Sequence, residues 1–130
     1  MDDATAVMHR WVKAQEEKDL DALVSCWHPD VDTVHLLRPE RSWHGTDIYR
    51  SVMARIWESD PTNREEIIST GVVENRIYME TLTRHADGST VPGFAIMEVE
   101  DGKIRRARVY TDRPTQDGLS MDGWVRDMNS

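Results

Sequence analysis

A histidine sits at the centre of a short half-apolar run, VDTVHLL, which follows WHPD at Trp27 to Asp30. Imidazole titrates near neutral pH, so His35 is the residue of this chain best suited to general base or acid work. With strand periodicity, Val31, Thr33, His35 and Leu37 share one face, and Asp32, Val34 and Leu36 share the other. The apolar company of His35 predicts that it faces inward, where a dry pocket keeps imidazole neutral and ready to accept a proton. The competing reading is a hydrogen-bonded core histidine. Asp32 falls on the opposite face and does not orient that ring. His28 and Asp30 are expected at a capped, solvated turn. Trp43 and His44 precede Gly45, and either could line a cavity. His28, His35 and His44 fit neither an H-E-x-x-H helix nor a close histidine pair, so no metal site is expected.

Other chemistry-bearing residues come in strand-spaced pairs. Tyr78 and Glu80 share a face. If that face is concave, Glu80 is a buried carboxylate with a raised pKa and Tyr78 a donor to a developing oxyanion. If it is convex, they are a surface or dimer pair. Arg108, Tyr110 and Asp112 alternate with Ala107, Val109 and Thr111, and Glu98 is a natural cross-strand partner for Arg108. Cys26 lies beside an apolar helical stripe and is expected to be buried and inert. There is no P-loop, G-x-G-x-x-G or G-x-S-x-G, which leaves nucleotide and acyl-serine chemistry unsupported.

The elements that must position these groups can be read in order. Ala4, Val7, Met8, Trp11 and Val12 form one stripe of an amphipathic helix ending near Lys18. Asp19 reads as the N-cap of a second helix, Leu20 to Trp27, which Pro29 prevents from continuing. A strand is expected from Val31 to Leu37 and a short return strand at Ser42 to His44. Thr46 or Asp47 caps a third helix, Ile48 to Trp57, whose wide apolar stripe suits packing on a sheet. Strands are then predicted for Glu65 to Thr70, Arg76 to His85, Gly93 to Glu100 and Lys103 to Thr111. Asp101-Gly102 is the strongest hairpin signal. Trp11, Trp27 and Trp57 fall on core stripes. After Asp112 the chain turns rich in Gly, Asp and Ser. Asp122 to Met128 could form a helical turn or two, with Trp124 docked on the body or left in a frayed tail.

The chain has 130 residues, 38% hydrophobic and 31% charged, as expected for one packed domain over residues 1–113 with a tail over 114–130. A net charge of −8 argues against nucleic acid and against an anionic membrane surface. The single cysteine excludes an intramolecular disulfide, and no apolar run is long enough for a membrane span. The start MDDATAVMHRW lacks the apolar core of a signal peptide, and a cytoplasmic location is expected.

MHRWVKAQEEKDLDALVSCWHPDV, then WHGTDIYRSVM, then VPGFAIMEVEDGKIRRARVYTD resembles the SnoaL-like (polyketide-cyclase-like) branch of the nuclear transport factor 2-like, or ketosteroid-isomerase-like, superfamily. The match covers roughly residues 5 to 113. The resemblance implies an α+β fold, a cone-shaped barrel in which three helices pack on a strongly bent mixed or antiparallel sheet around an apolar pocket. It implies a homodimer through the outer sheet face. It places Trp11 where ketosteroid isomerase has its oxyanion-hole tyrosine, His35 at the general-base aspartate, and Ala95 near the protonated aspartate. The epoxide-hydrolase pattern maps its Arg-x-Asp pair onto Tyr78 and Glu80 and its strand-end aspartate onto Val109, so its Asp–Arg–Asp set is absent. That mapping puts Val109 inside and, by parity, Ala95, Met97 and Val99 as an apolar wall.

These readings converge on a cofactor-free enzyme of isomerase, cyclase or dehydratase type, working on a hydrophobic or aromatic carbonyl compound. His35 is its catalytic residue. Trp11, Trp43, Tyr78, Glu80, Ala95, Met97 and Val109 contact the ligand. The alternative is a non-catalytic small-molecule binding domain of the same fold, in which His35 fixes the ligand by a hydrogen bond. Fold alone does not choose between them.

Overall fold

In the computed structural model, which describes residues 3–37, 39, 42–111 and 128, the order is α1 (Asp3–Glu17), α2 (Leu20–Ser25), β1 (Trp27–His35), β2 (Trp43–His44), α3 (Thr46–Ser59), β3 (Arg64–Val73), β4 (Arg76–Arg84), β5 (Thr90–Glu100) and β6 (Lys103–Tyr110). The buried side of α1 is Ala4, Val7, Trp11 and Ala14, the predicted stripe. Lys18 ends the helix with φ 51, a left-handed residue that closes a helix C-terminus. Asp19 then caps α2 as expected, its carboxylate accepting from Ala22 N–H at 3.1 Å.

Helix α2 stops two residues earlier than predicted. The Cys26 carbonyl accepts from Ile104 N–H at 2.8 Å, so the backbone is captured by β6 instead of continuing helical bonds. Trp27 therefore opens β1. Leu36 N–H makes a last bond to Val109 C=O at 3.0 Å, after which the chain turns away. Leu37, predicted on the inward face with His35, lies past the strand and is 57% exposed.

The sheet runs β2-β1-β6-β5-β4-β3. The β1–β6 pair is parallel and the others are antiparallel, so the sheet is mixed. The expected helices on a bent mixed sheet are present, and the sheet is open, with β2 and β3 as its edges. Register shifts between Trp27 and Asp32, Ile67 and Ser69, and Glu98 and Val99 add the local twist that bends it. All three helices lie on one side of the bend. Helix α1 packs on β3 to β6, and α3 on β1 and β2.

Cross-strand register fixes which residues face them. One inward row is Met79, Ala95, Val109 and His35; the next is Ile77, Met97, Ala107 and Thr33. Ile77, Met79, Ile104, Leu23, Val7 and Val31 are at most 1% exposed. Burying each such side chain stabilises the fold by about 1.5–3 kcal/mol before entropy is charged against it. Met128, the one described residue of the tail, is helical and packs against this core. Trp124 lies outside the described residues.

The Asp101-Gly102 turn has φ 55 and φ 74, the left-handed pair of a tight hairpin. A second hairpin, at Glu74-Asn75, was not predicted; Glu74 takes φ 55 without a glycine to announce it. The cap of α3 also differs from expectation. Gly45, not Thr46 or Asp47, is the N-cap, with φ 80 and ψ 178 and no side-chain cap bond. Only glycine adopts that region without strain, and a Cβ there would lie 3.4 Å from Pro29 O. Gly45→Ala is expected to cost about 1–3 kcal/mol. The check is the urea midpoint, and an unchanged midpoint would show that the backbone relaxes freely.

Candidate functional site

Two regions lie under the helices. At one, an aromatic cluster fills the space between β1, β2 and α3. Trp27 stands 4.8 Å from Tyr49 and 5.7 Å from Trp43, and Trp43 stacks on Tyr49 at 5.2 Å. Part of the Tyr49 ring reaches the surface, but its hydroxyl turns inward and burial pushes the phenol well above its ordinary pKa, the charge of Glu65 adding to the effect. The indole N–H groups of Trp11 and Trp27 approach that hydroxyl without closing a hydrogen bond to any described residue. Cys26 is fully buried here, and desolvation raises its thiol pKa, as expected of an inert cysteine.

At the other, a cavity of about 150 Å³ lies between α3 and the neighbouring ends of β3 to β6. Met53 and Ile56 of α3, with Val109, form its apolar side, and Phe94 stands at its rim. Asn63, Glu65, Thr81, Thr83 and Thr111 supply hydrogen-bonding side chains, and Gly93 completes the wall. Half of the ten lining residues thus carry polar side chains, although most of the exposed lining is apolar. Register explains the set. Thr81 and Thr83 continue the inward row of Ile77 and Met79, and Glu65 faces inward as the partner of Thr83. Gln15 of α1 reaches Glu65 Oε2 at 3.5 Å.

Beyond Thr83 the same face carries His85, 8% exposed as a residue, with Asp60 beside it at 5%. Asp60 Oδ2 lies 3.3 Å from His85 Nδ1 and accepts from Ala86 N–H at 3.3 Å; Oδ1 accepts from Thr62 Oγ1 at 3.0 Å. Asn63 Nδ2 is also 3.3 Å from His85 Nδ1, which ties this network to the cavity wall. Desolvation works to raise the Asp60 pKa, but the Ala86, Thr62 and His85 bonds together hold it below the usual aspartate value.

The predicted site residues are distributed unevenly. Val109 lines the cavity. His35, 5% exposed, stands beside it as its partner in register, with its backbone N–H donating to Ser42 Oγ at 3.0 Å. Ala95 flanks Val109 on the other strand. Met97 is core, 2% exposed, one inward row away. Trp11 and Trp43 belong to the aromatic cluster and do not line the cavity. Tyr78 and Glu80 are corrected. Because Ile77 and Met79 point inward, strand alternation sends both to the outer face, where Glu80 accepts from Ser69 Oγ at 3.0 Å. Glu98 pairs with Arg76 at 3.4 Å and Arg106 at 3.6 Å rather than with Arg108, which lies opposite Ile96.

Outside the site, His44 Nδ1 meets Asp32 Oδ1 at 2.6 Å on the exposed side of β1 and β2, a bond that lowers the Asp32 pKa. Among the described residues no three His, Cys, Asp or Glu gather to hold a metal ion. No helix is long and apolar enough to cross a membrane.

Of the ten lining residues, sequence reasoning named only Val109 and missed the other nine, Asn63, Glu65, Thr81, Thr83 and Gly93 among them. Thr81 and Thr83 were legible, since they extend the Ile77 and Met79 parity. Glu65 was not, because REEIISTGVV has no clean alternation and its strand contains a register shift.

Among solved structures, the fold is similar to a proposed ketosteroid isomerase from Kribbella flavida, with TM-score 0.73 and 12% identity over 88% of this chain and 81% of that one. It is similar to an LEH-like epoxide hydrolase from M. tuberculosis, with TM-score 0.68 and 17% identity over 85% and 83%. A SnoaL-like protein of unknown function from Burkholderia thailandensis gives TM-score 0.69 and 16% identity over 85% and 96%. At such identities the likeness is one of fold. No curated protein sequence matches the chain. The family model for the SnoaL-like domain matches residues 8–107, a span that includes α3, His35 and most of the cavity wall. The chain therefore belongs to the SnoaL-like family.

Proposed function

We propose that this protein catalyses cofactor-free proton transfer on a small carbonyl compound held in the cavity between α3 and β3 to β6. His35 takes the proton alpha to the carbonyl as general base. The observation that carries this reading is a buried imidazole on the concave face, in register with a residue of the cavity wall. Neutral imidazole is a competent general base. The likeness in fold to an isomerase and an epoxide hydrolase makes small-molecule chemistry a natural use of the cone.

One observation favours the binding-only alternative: His35 flanks the cavity wall without lining the cavity itself. Exchange of alpha protons of cyclohexanone with deuterium oxide separates the two, because it requires a base and no further chemistry. The parent protein is expected to accelerate exchange above buffer. Gly93→Val is expected to abolish the acceleration, since a Cβ at that position already falls 2.9 Å from Thr81 Oγ1 within the cavity wall. Ketone binding with no accelerated exchange would overturn the catalytic reading and leave a binding domain.

A further inference from the structure

We infer that the cavity and the groove between α1 and β3 form one binding site for an elongated amphipathic ketone. Its apolar ring sits in the cavity. An uncharged amide-bearing tail, carried by the ring carbon opposite the carbonyl, lies in the groove. The inference rests on the reading of the cavity as a carbonyl site and deepens it by naming the second half of the ligand.

The two spaces share a wall. The groove passes Gln15, Glu16 and Lys18 at the end of α1 and reaches Trp57, Thr62 and Arg64, with a volume of about 440 Å³. Asn63 and Glu65 line it, and the same two residues line the cavity. Both keep partners within the protein, Gln15 for Glu65 at 3.5 Å and His85 for Asn63 at 3.3 Å, so the site does not need a ligand to satisfy them.

Strand order sets the direction of the ligand. His35 and Val109 stand on β1 and β6, and Glu65 stands on β3. Between Val109 and Glu65 lie β5 and β4, which makes three strand spacings, or about 14 Å along the sheet. One ring with its carbonyl at the His35 end falls short of that span. A substituent that continues toward Glu65 leaves the ring at the opposite carbon. The cavity itself measures about 150 Å³. A dry cavity of about that size holds benzene, so one ring fills it and the tail must leave it.

The two linings differ in kind. Most of the exposed lining of the cavity is apolar, with Met53, Ile56, Phe94 and Val109 in it. The groove exposes polar and apolar surface equally, and its charges balance, Lys18 and Arg64 against Glu16 and Glu65. A tail of either charge is attracted by one pair and repelled by the other. An uncharged amide carries one donor and one acceptor, and both find partners here, among the charged groups and at Gln15 and Thr62. Trp57 supplies ring surface for the carbon atoms of the tail.

The test compares acetamidocyclohexanone, isobutylcyclohexanone and methylcyclohexanone, each substituted at the carbon opposite the carbonyl, by titration calorimetry. Acetamido and isobutyl share one branched skeleton, so that pair differs in polarity and not in shape. The acetamido compound is expected to bind the parent about fivefold to tenfold tighter than either of the others, the factor of one net hydrogen bond. Glu16→Trp, at an exposed helical position, puts an indole in the groove, and the acetamido advantage is expected to vanish in it. Equal or tighter binding of the isobutyl or methyl compound by the parent overturns the inference and leaves the carbonyl reading standing. An acetamido advantage that persists in folded Glu16→Trp also overturns the inference, because the tail then lies elsewhere. Binding of none of the three at millimolar concentration overturns both the inference and the carbonyl reading. Because calorimetry reads binding without turnover, absent proton exchange overturns the catalytic reading alone.

Discussion

Replacing His35 with alanine is expected to slow alpha-proton exchange by about two to four orders of magnitude, the usual contribution of a positioned general base. His35→Gln is expected to fail by a similar factor, although it restores bulk and hydrogen-bonding capacity, because an amide does not titrate in the working range. The pair matters because His35 is 5% exposed in the packed face, so alanine alone confounds lost chemistry with a lost contact. Both variants are expected to fold. The backbone N–H of His35 makes its bond to Ser42 Oγ whatever the side chain, and the β1–β6 register is main chain throughout. Exchange at the parent rate in either folded variant ends the general-base assignment.

His35 was legible because its signal is local. A polar residue at an apolar strand position needs only period two to be placed inward, and the register with Val109 agrees. The helices were legible for the same reason: Ala4, Val7 and Trp11 state the 3.6-residue period by themselves. The cavity wall was less so. It is assembled from the starts of β3 and β5, the ends of β4 and β6, and a turn of α3, all far apart in the chain. The pairing that brings Glu65 opposite Thr83 is a long-range fact with no trace in REEIISTGVV. The misplacement of Tyr78 and Glu80 had a different origin. Mapping from the epoxide-hydrolase pattern put them in the pocket, while the burial preference of Ile77 and Met79 put them outside; the hydrophobic effect on a half-buried strand decides that contest. The expected cone is built here by an open sheet. Among the described residues β2 is a two-residue strand and β3 pairs only with β4, so the ladder does not close.

Asp60→Ala is expected to remove about 2–4 kcal/mol of stability, read as a lower urea midpoint with an unchanged slope, although Asp60 does not line the cavity. Its carboxylate is the joint between three segments. It ends α3, where its N–H still bonds Ile56 O at 2.9 Å, and its carbonyl accepts from Asn63 N–H at 2.9 Å in the Asp-Pro-Thr-Asn turn. Its side chain answers the Thr62 hydroxyl, Ala86 N–H and His85 Nδ1, the last two from the β4–β5 connection. Alanine strands all three donors in a site that water does not reach, with Asp60 5% and the His85 side chain 3% exposed. Among the described residues His85 Nε2 has no hydrogen-bond partner, which leaves the ring only Asn63 Nδ2, 3.3 Å from its Nδ1, besides Asp60. The pH dependence separates the charge from the packing. The folded pKa of Asp60 lies below its unfolded value near about 3.9, so the unfolded state takes up the proton first as pH falls. The stabilisation is therefore complete above the unfolded value and is lost as pH drops through the folded one. Asp60→Asn, of nearly the same shape, lacks this term. The stability gap between parent and Asp60→Asn is expected to be widest at neutral pH and to narrow on acidification below pH of about 4. A gap that stays constant down to that range would mean that the Asp60 charge contributes nothing and that the joint is held by shape alone.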